Sequence, residues 1–159
     1  MGVWPWLLAK KFAKVITFEP DPVCYDALTQ NLAHSPKIEC HNMALMDAPG
    51  AVHMMNDEPD NLGAQYVAPM PHGIEATTID ALALPMCDLI YLDIEGAELP
   101  ALQGAKATIK AFKPVVVVED KGHSSRFGYK KGDSVQWLYQ FGYFAVNRRH
   151  NDVVLMCKS

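Results

Sequence analysis

Asp88-Leu-Ile-Tyr-Leu-Asp-Ile-Glu-Gly-Ala-Glu98 and Pro114-Val-Val-Val-Val-Glu119 are two nearly unbroken apolar runs, each closing on acidic residues. Runs of this kind suit strands covered on both faces, as in parallel sheets. Between them Leu99, Leu102, Ile109 and Phe112 recur at helical intervals, so the segment reads as strand, helix, strand with a right-handed crossover. Two parallel neighbours of this type bring Asp93 and Glu95 to the same sheet edge as Glu119 and Asp120. Like charges gathered there call for a raised pKa, a cation or a polar ligand. Glu95 also suits a second role, as an acid near the start of the following helix.

Working outward, Val15 to Phe18 is a short β-branched and aromatic run that must stop at Pro20 and Pro22. Asp21 then caps a helix from Pro22 to Ala33, whose inward stripe is expected to be Tyr25, Leu28 and Leu32. Ile38 to His41 reads as a second short strand, and Trp4 to Ala13 as a helix with Pro5 in its first turn. The stretch 43–78 differs in texture, with Pro49-Gly50 and a polar cluster from Asn56 to Asn61, and reads as a hairpin-type insertion. Downstream, Val135 to Tyr139 reads as a helix, and Phe144–Asn147 with Val153–Met156 as a closing antiparallel pair. The order is α/β, with ligands expected beyond the carboxyl ends of the parallel strands.

The chain has 159 residues, half of them hydrophobic and 20% charged, with a formal charge of -4. That length supports one domain, 1–159, with no linker or repeat inside it. The charge gives no general attraction to nucleic acid or anionic lipid, and no apolar stretch approaches the ~18 residues that a membrane helix requires. Cys24, Cys40, Cys87 and Cys157 form no CxxC pair, so they read as reduced thiols of a cytoplasmic protein, with no metal site. Met1 to Lys14 lacks the charged start and small-residue cleavage site of a secretory signal. Trp4, Trp6 and Trp137 read as core residues, and Met43, Met46, Met54 and Met55 as packing.

The phrases Thr17-Phe-Glu-Pro-Asp-Pro22 and Tyr91-Leu-Asp-Ile-Glu-Gly-Ala-Glu98, the latter followed by Leu102-Gln-Gly-Ala105, resemble the FkbM family of S-adenosylmethionine-dependent methyltransferases. Asn42-Met-Ala-Leu-Met-Asp47, Asn61-Leu-Gly63, Thr78-Ile-Asp80, Val117-Val-Glu119 and Asn151-Asp-Val-Val154 extend the likeness over nearly the whole chain. It implies a class I methyltransferase, a Rossmann-like and mostly parallel sheet with helices on both faces. S-Adenosylmethionine is then the cofactor, with Glu19 and Pro20 at its ribose and Asn42, Met43 and Ala44 beside the adenine. Asp93 is expected to face the reacting end. Residues 19 and 93 are expected at one rim of the sheet. The implied reaction is O-methylation of a small molecule, sugar or lipid hydroxyl, with Asp93, Glu95, Glu119 or His123 taking the proton.

In that family the fold ordinarily opens with a strand and a glycine-rich turn against the amino-acid part of the cofactor. Gly2-Val-Trp4 reads as the tail of that turn, so an N-terminally truncated version is expected, with the strand between those of Glu19 and Asp93 missing. Loss of the turn's backbone donors is expected to weaken cofactor binding, and unpaired edges to favour a homo-oligomer. The alternative function is a noncatalytic binding or assembly module on the same fold.

Overall fold

The computed structural model describes residues 1–57, 61 and 64–158, and these group into two compact units, described in turn. The first comprises residues 1–44, 50–54 and 67–76. Its helix α1 (Val3–Leu8) is followed by β1 (Val15–Phe18), α2 (Pro22–Leu32) and β2 (Ile38–His41). β1 and β2 pair in parallel, Val15 opposite Ile38 and Phe18 opposite His41.

Asp21 caps α2 as expected, accepting from the Cys24 amide at 2.8 Å. The buried stripe of α2 is Cys24, Leu28 and Leu32. Tyr25 stands one position aside, half-buried, and its hydroxyl donates to the Cys40 carbonyl at 3.3 Å. A phenol retains a polar atom that needs a partner, which is why the smaller Cys24 takes the inward place. Helix α1 ends at Leu8, well before Ala13, and buries none of its residues. Gly2, Pro5, Leu8 and Ala9 form its more covered side, so Trp4 and Trp6 come out half exposed, at 51% and 50%, contrary to the expectation of core. The Lys10 ammonium lies 3.2 Å over the Trp6 ring. Trp137 does pack against the core of the second unit.

The region expected to form hairpins folds among its described residues as a sheet of β3 (Ala44–Leu45), β4 (Gly50–Met55), β5 (Tyr66–Met70) and β6 (Ile74–Thr77) in the order β3-β6-β4-β5, with β4 antiparallel to β6. Part of the phrase Asn61-Leu-Gly63 lies outside the described residues. Gly73 has φ 141°, and a Cβ there would meet the Val52 carbonyl at 2.4 Å, so this turn accepts only glycine.

The second unit, 45–49, 55–66 and 77–159, holds β7 (Leu89–Leu92), α3 (Glu98–Gln103), α4 (Lys106–Phe112), β8 (Val115–Glu119), α5 (Asp133–Tyr139), β9 (Tyr143–Arg149) and β10 (Asp152–Cys157). Its sheet runs β7-β8-β10-β9, with β7 and β8 parallel and β10 antiparallel to both of its neighbours. Leu92, Val116, Val118, Leu102, Ile109, Leu138 and Leu155 are fully buried in its core. The single crossover helix read from the sequence is two helices. Gly104 stands between them, where a Cβ would meet the Met46 carbonyl, an approach only glycine permits.

A restart of the helix needs new partners for its first amides, and Asp80 supplies them. Its carboxylate accepts from the Ala107 and Thr108 amides, each at 2.8 Å, and from the Thr108 hydroxyl at 2.7 Å. Burial alone would raise the Asp80 pKa, but these bonds outweigh it and hold the carboxyl below its usual value.

One expectation needs correction. In place of a single, mostly parallel Rossmann-like sheet, the strands form small mixed sheets. Parallel pairing requires a crossover, and it is seen where the chain makes one, at β1-α2-β2 and at β7-α3-α4-β8. Among the described residues β1 pairs only with β2, and β7 only with β8. All four cysteines are free thiols. Among the described residues no helix is long and apolar enough to cross a membrane.

Replacing Asp80 removes three bonds to the start of α4. Asp80→Ala should cost about 1 to 3 kcal/mol near neutral pH, read from the denaturation midpoint. A depressed carboxyl stabilises above its unfolded value of 3.8 and loses that contribution as pH falls through its lower folded value. The gap between wild type and variant should therefore close in strong acid.

Candidate active site

Parallel pairing in register, Leu92 beside Val118, brings the residues after β7 next to the end of β8. One carboxylate oxygen from each of Asp93, Glu95 and Glu119 lies within 4.8 Å of the others. The edge crowded with acids, expected from the two apolar runs, is therefore present. Its compensating charge is Lys121, whose ammonium donates to Glu95 Oε1 at 2.8 Å and Glu119 Oε2 at 2.7 Å and lies 4.0 Å from Asp93 Oδ1. A hard cation suits such a cluster of oxygens; here an ammonium takes that role.

His123 joins the cluster through its Nδ1, 2.6 Å from Glu95 Oε2. Glu95 thus holds two basic partners. Burial would raise its pKa, but the hydrogen bonds from Lys121 and His123 prevail and keep it ionised. Glu119 goes the other way. Burial and the neighbouring Asp93 carboxyl push its pKa up to about 7, with Lys121 opposing. Like charges this close do not both ionise readily, so beside Asp93 the Glu119 carboxyl keeps its proton up to near neutrality. Burial would lower Lys121, but Glu119 and Glu95 outweigh it and fix its positive charge.

The backbone that presents Glu95 is unusual. Glu95 has φ 54° and Gly96 φ 115°. A left-handed conformation is costly for a residue with a side chain and persists only when its surroundings impose it. Arg126 Nη1 donates to the Glu95 carbonyl at 3.0 Å. Gly96 lies so close to the next segment that a Cβ would meet the His123 carbonyl at 2.5 Å. Glu98 reaches back from the first turn of α3, its Oε1 accepting from the Ile94 and Gly96 amides at 3.1 and 3.2 Å. Glu98 is buried, which raises its pKa, with those amides opposing. α3 carries no side-chain cap at its Ala97 N-cap, so the capping role open to Glu95 in the sequence is not taken up, and Glu95 belongs to the cluster.

Arg126 also spans outward, its guanidinium 3.9 Å over the Tyr66 ring and 3.7 Å from Asp57, which Tyr66 in turn meets through its hydroxyl at 3.3 Å. A recess lined by Glu95, Glu119, Lys121, His123, Ser124 and Ser134 sits within the cluster. Ser124 is 6% exposed, and its Oγ is buried without a hydrogen-bond partner.

In the first unit, Glu19 follows β1 directly and Asn42 follows β2. Asn42 Nδ2 donates to the Glu19 and Pro20 carbonyls at 2.8 and 2.9 Å, tying the two strand ends together. Glu19 Oε1 accepts from the Asp21 amide at 3.0 Å, and burial raises its pKa. Met43 is half-buried, and Ala44 is buried at the start of β3. Gly2, at φ 94°, caps α1, and a Cβ there would meet the Leu32 side chain at 3.3 Å.

Of the residues singled out from the sequence, Asp93, Glu95, Glu119 and His123 come together, as do Glu19, Pro20 and Asn42. Lys121, Glu98, Arg126 and Ser124 were not anticipated. Lys121 follows β8 in a bend two residues beyond Glu119, where strand alternation does not place it.

The sequence matches the methyltransferase FkbM domain family over residues 6–145, and the chain belongs to that family. Its fold is similar to the crystal structure of a methyltransferase FkbM from Methylobacillus flagellatus KT, with TM-score 0.62 and 20% identity. The match covers 96% of this chain and 39% of that one, so this chain spans about two fifths of its relative's length. No curated protein matches this chain.

The raised Glu119 carboxyl has a consequence for stability. An acid whose folded pKa exceeds its ordinary value stabilises the fold fully below 4.5 and loses that contribution as pH rises through about 7. Glu119→Gln should remove this dependence. The wild type's advantage over the variant should shrink between pH 4.5 and 7, and a difference constant over that window contradicts the raised carboxyl.

Proposed function

We propose that this FkbM-domain chain transfers a methyl group from S-adenosylmethionine to a hydroxyl of a small molecule, sugar or lipid. The observation that carries the reading is the cluster after β7 and β8, where the Glu119 carboxyl, pushed up to about 7 by burial and the neighbouring Asp93, stands 2.7 Å from a fixed ammonium. A base with a pKa near the working pH combines a useful unprotonated fraction with a real drive to take a proton. An isolated carboxylate would be too weak a base.

The residues of the first unit fit the ribose of the cofactor. Glu19 engages one oxygen with the Asp21 amide, and among the described residues its other oxygen accepts nothing, which leaves it for a vicinal diol. Burial has already raised this carboxyl, so donors from a diol would be well received. Asn42 holds the Glu19 and Pro20 carbonyls and so fixes where that carboxylate starts. When bound, S-adenosylmethionine supplies a methyl carbon on a sulfonium, whose S–C bond breaks with its electrons kept by sulfur as the O–C bond forms. The chain's own task is to hold the acceptor oxygen in line and remove its proton. Asp93 and Glu119 receive that proton, while Glu95 anchors Lys121 and His123 in place.

Calorimetric titration of S-adenosylmethionine and S-adenosylhomocysteine into the chain should give saturable heat for both. An absence of heat at millimolar ligand would favour the noncatalytic module. Glu19→Ala should weaken cofactor binding by about 1 to 3 kcal/mol, the scale of hydrogen bonds to a charged group. Unchanged affinity would remove Glu19 from the site.

A further inference from the structure

An ammonium carries three N–H donors. In Lys121 one is spent on Glu95 at 2.8 Å and one on Glu119 at 2.7 Å. Asp93, at 4.0 Å, is beyond hydrogen-bonding distance, so among the described residues the third donor has no acceptor. The side chain is about one third exposed, which leaves that donor accessible. Lys121 also lines the recess in which the buried Ser124 Oγ lacks a partner. A buried hydroxyl without a partner calls for a polar group that completes it. Lys121 and Ser124 thus each leave a polar group of this recess incomplete.

We propose that Lys121 is a further catalytic residue, its third N–H holding the oxygen of an uncharged hydroxyl acceptor in this recess while the adjacent Asp93–Glu119 pair receives the hydroxyl proton. This rests on the methyltransferase reading and deepens it. The acceptor's O–H bond breaks, its proton goes to a carboxylate oxygen, and the electron pair left on oxygen forms the bond to the methyl carbon. Partial negative charge on that oxygen is stabilised by the ammonium as it develops, the most effective moment for such a donor. The surroundings also select the acceptor. Asp93, Tyr91 from β7, Glu95, Asp120 and Asp152 from β10 face Glu119 with Lys121 and His123, a predominance of acids that repels a phosphate or carboxylate and admits a neutral alcohol.

Two readouts test the role in Lys121→Met, which keeps the stem and removes the charge, and Lys121→Arg, which keeps the charge. In the first, carboxyl carbon resonances of Glu119 and Asp93 are followed against pH. Loss of the ammonium should move the Glu119 midpoint up by more than one pH unit in the Met variant and by less than half a unit in the Arg variant. A dispersed spectrum with an unmoved midpoint would overturn the proposal. In the second, S-adenosylhomocysteine formed from S-adenosylmethionine alone is measured, with water as the acceptor. The Met variant should lose about a hundredfold in rate with cofactor affinity unchanged, on the scale of one oxyanion donor, and the Arg variant should retain most of it. Equal rates in wild type and Met variant overturn the role of Lys121 and leave the methyltransferase reading standing. A wild-type chain that gives no calorimetric heat with the cofactor sinks that reading and the catalytic role with it.

Discussion

Three carboxylates drawn together at the end of two paired strands is the constraint around which the second unit is arranged. The parallel register of β7 and β8 fixes it, because Asp93 and Glu119 each directly follow or close a strand whose interior residues are locked by burial. Ile90, Leu92, Val116 and Val118 are all nearly inaccessible, so slipping one strand by a residue would turn an apolar side chain outward and is strongly disfavoured. The carboxylates cannot drift apart to relieve their repulsion. It is met by Lys121, by a proton, and by His123.

The rest of the local structure follows from holding that arrangement. Glu95 reaches Lys121 and His123 from a left-handed backbone, which is tolerable because Glu98 binds the amides on either side and Arg126 binds the carbonyl. Gly96 permits the chain to lie against the carbonyl of His123 itself. The crossover then breaks at Gly104 and restarts under the Asp80 cap, leaving α3 and α4 as two short helices on the core. Packing, capping and charge thus act on the same few turns.

Much of this was legible in the sequence because the signals were local. The two apolar runs gave β7 and β8 and their acidic ends, Pro20 and Pro22 marked the end of β1, and Asp21 announced its own helix. The pairing of β9 with β10 was also readable from alternation and turn residues, as was the β character of the stretch between β2 and β7. What escaped the sequence depends on long-range contacts. The need for glycine at 104 reflects the approach of the Met46 carbonyl from far along the chain. The exposure of Trp4 and Trp6 reflects which side of a six-residue helix is covered. The division of the strands into small mixed sheets depends on which edges meet, and composition is silent on that. Within the site, the acids and His123 were chosen for their chemistry. Lys121 was overlooked because a lone lysine beside acids reads as a solvated surface charge, and only its distances give it a place among them.

Neutron diffraction from deuterated crystals grown near pH 6 would examine the central claim directly, by locating hydrogen isotopes. The account predicts one deuteron held between Asp93 and Glu119, a bare carboxylate on Glu95, and three deuterons on the Lys121 nitrogen with two directed at Glu95 and Glu119. A Glu119 carboxylate fully ionised at that pH, or a Lys121 side chain turned away into solvent, would contradict it.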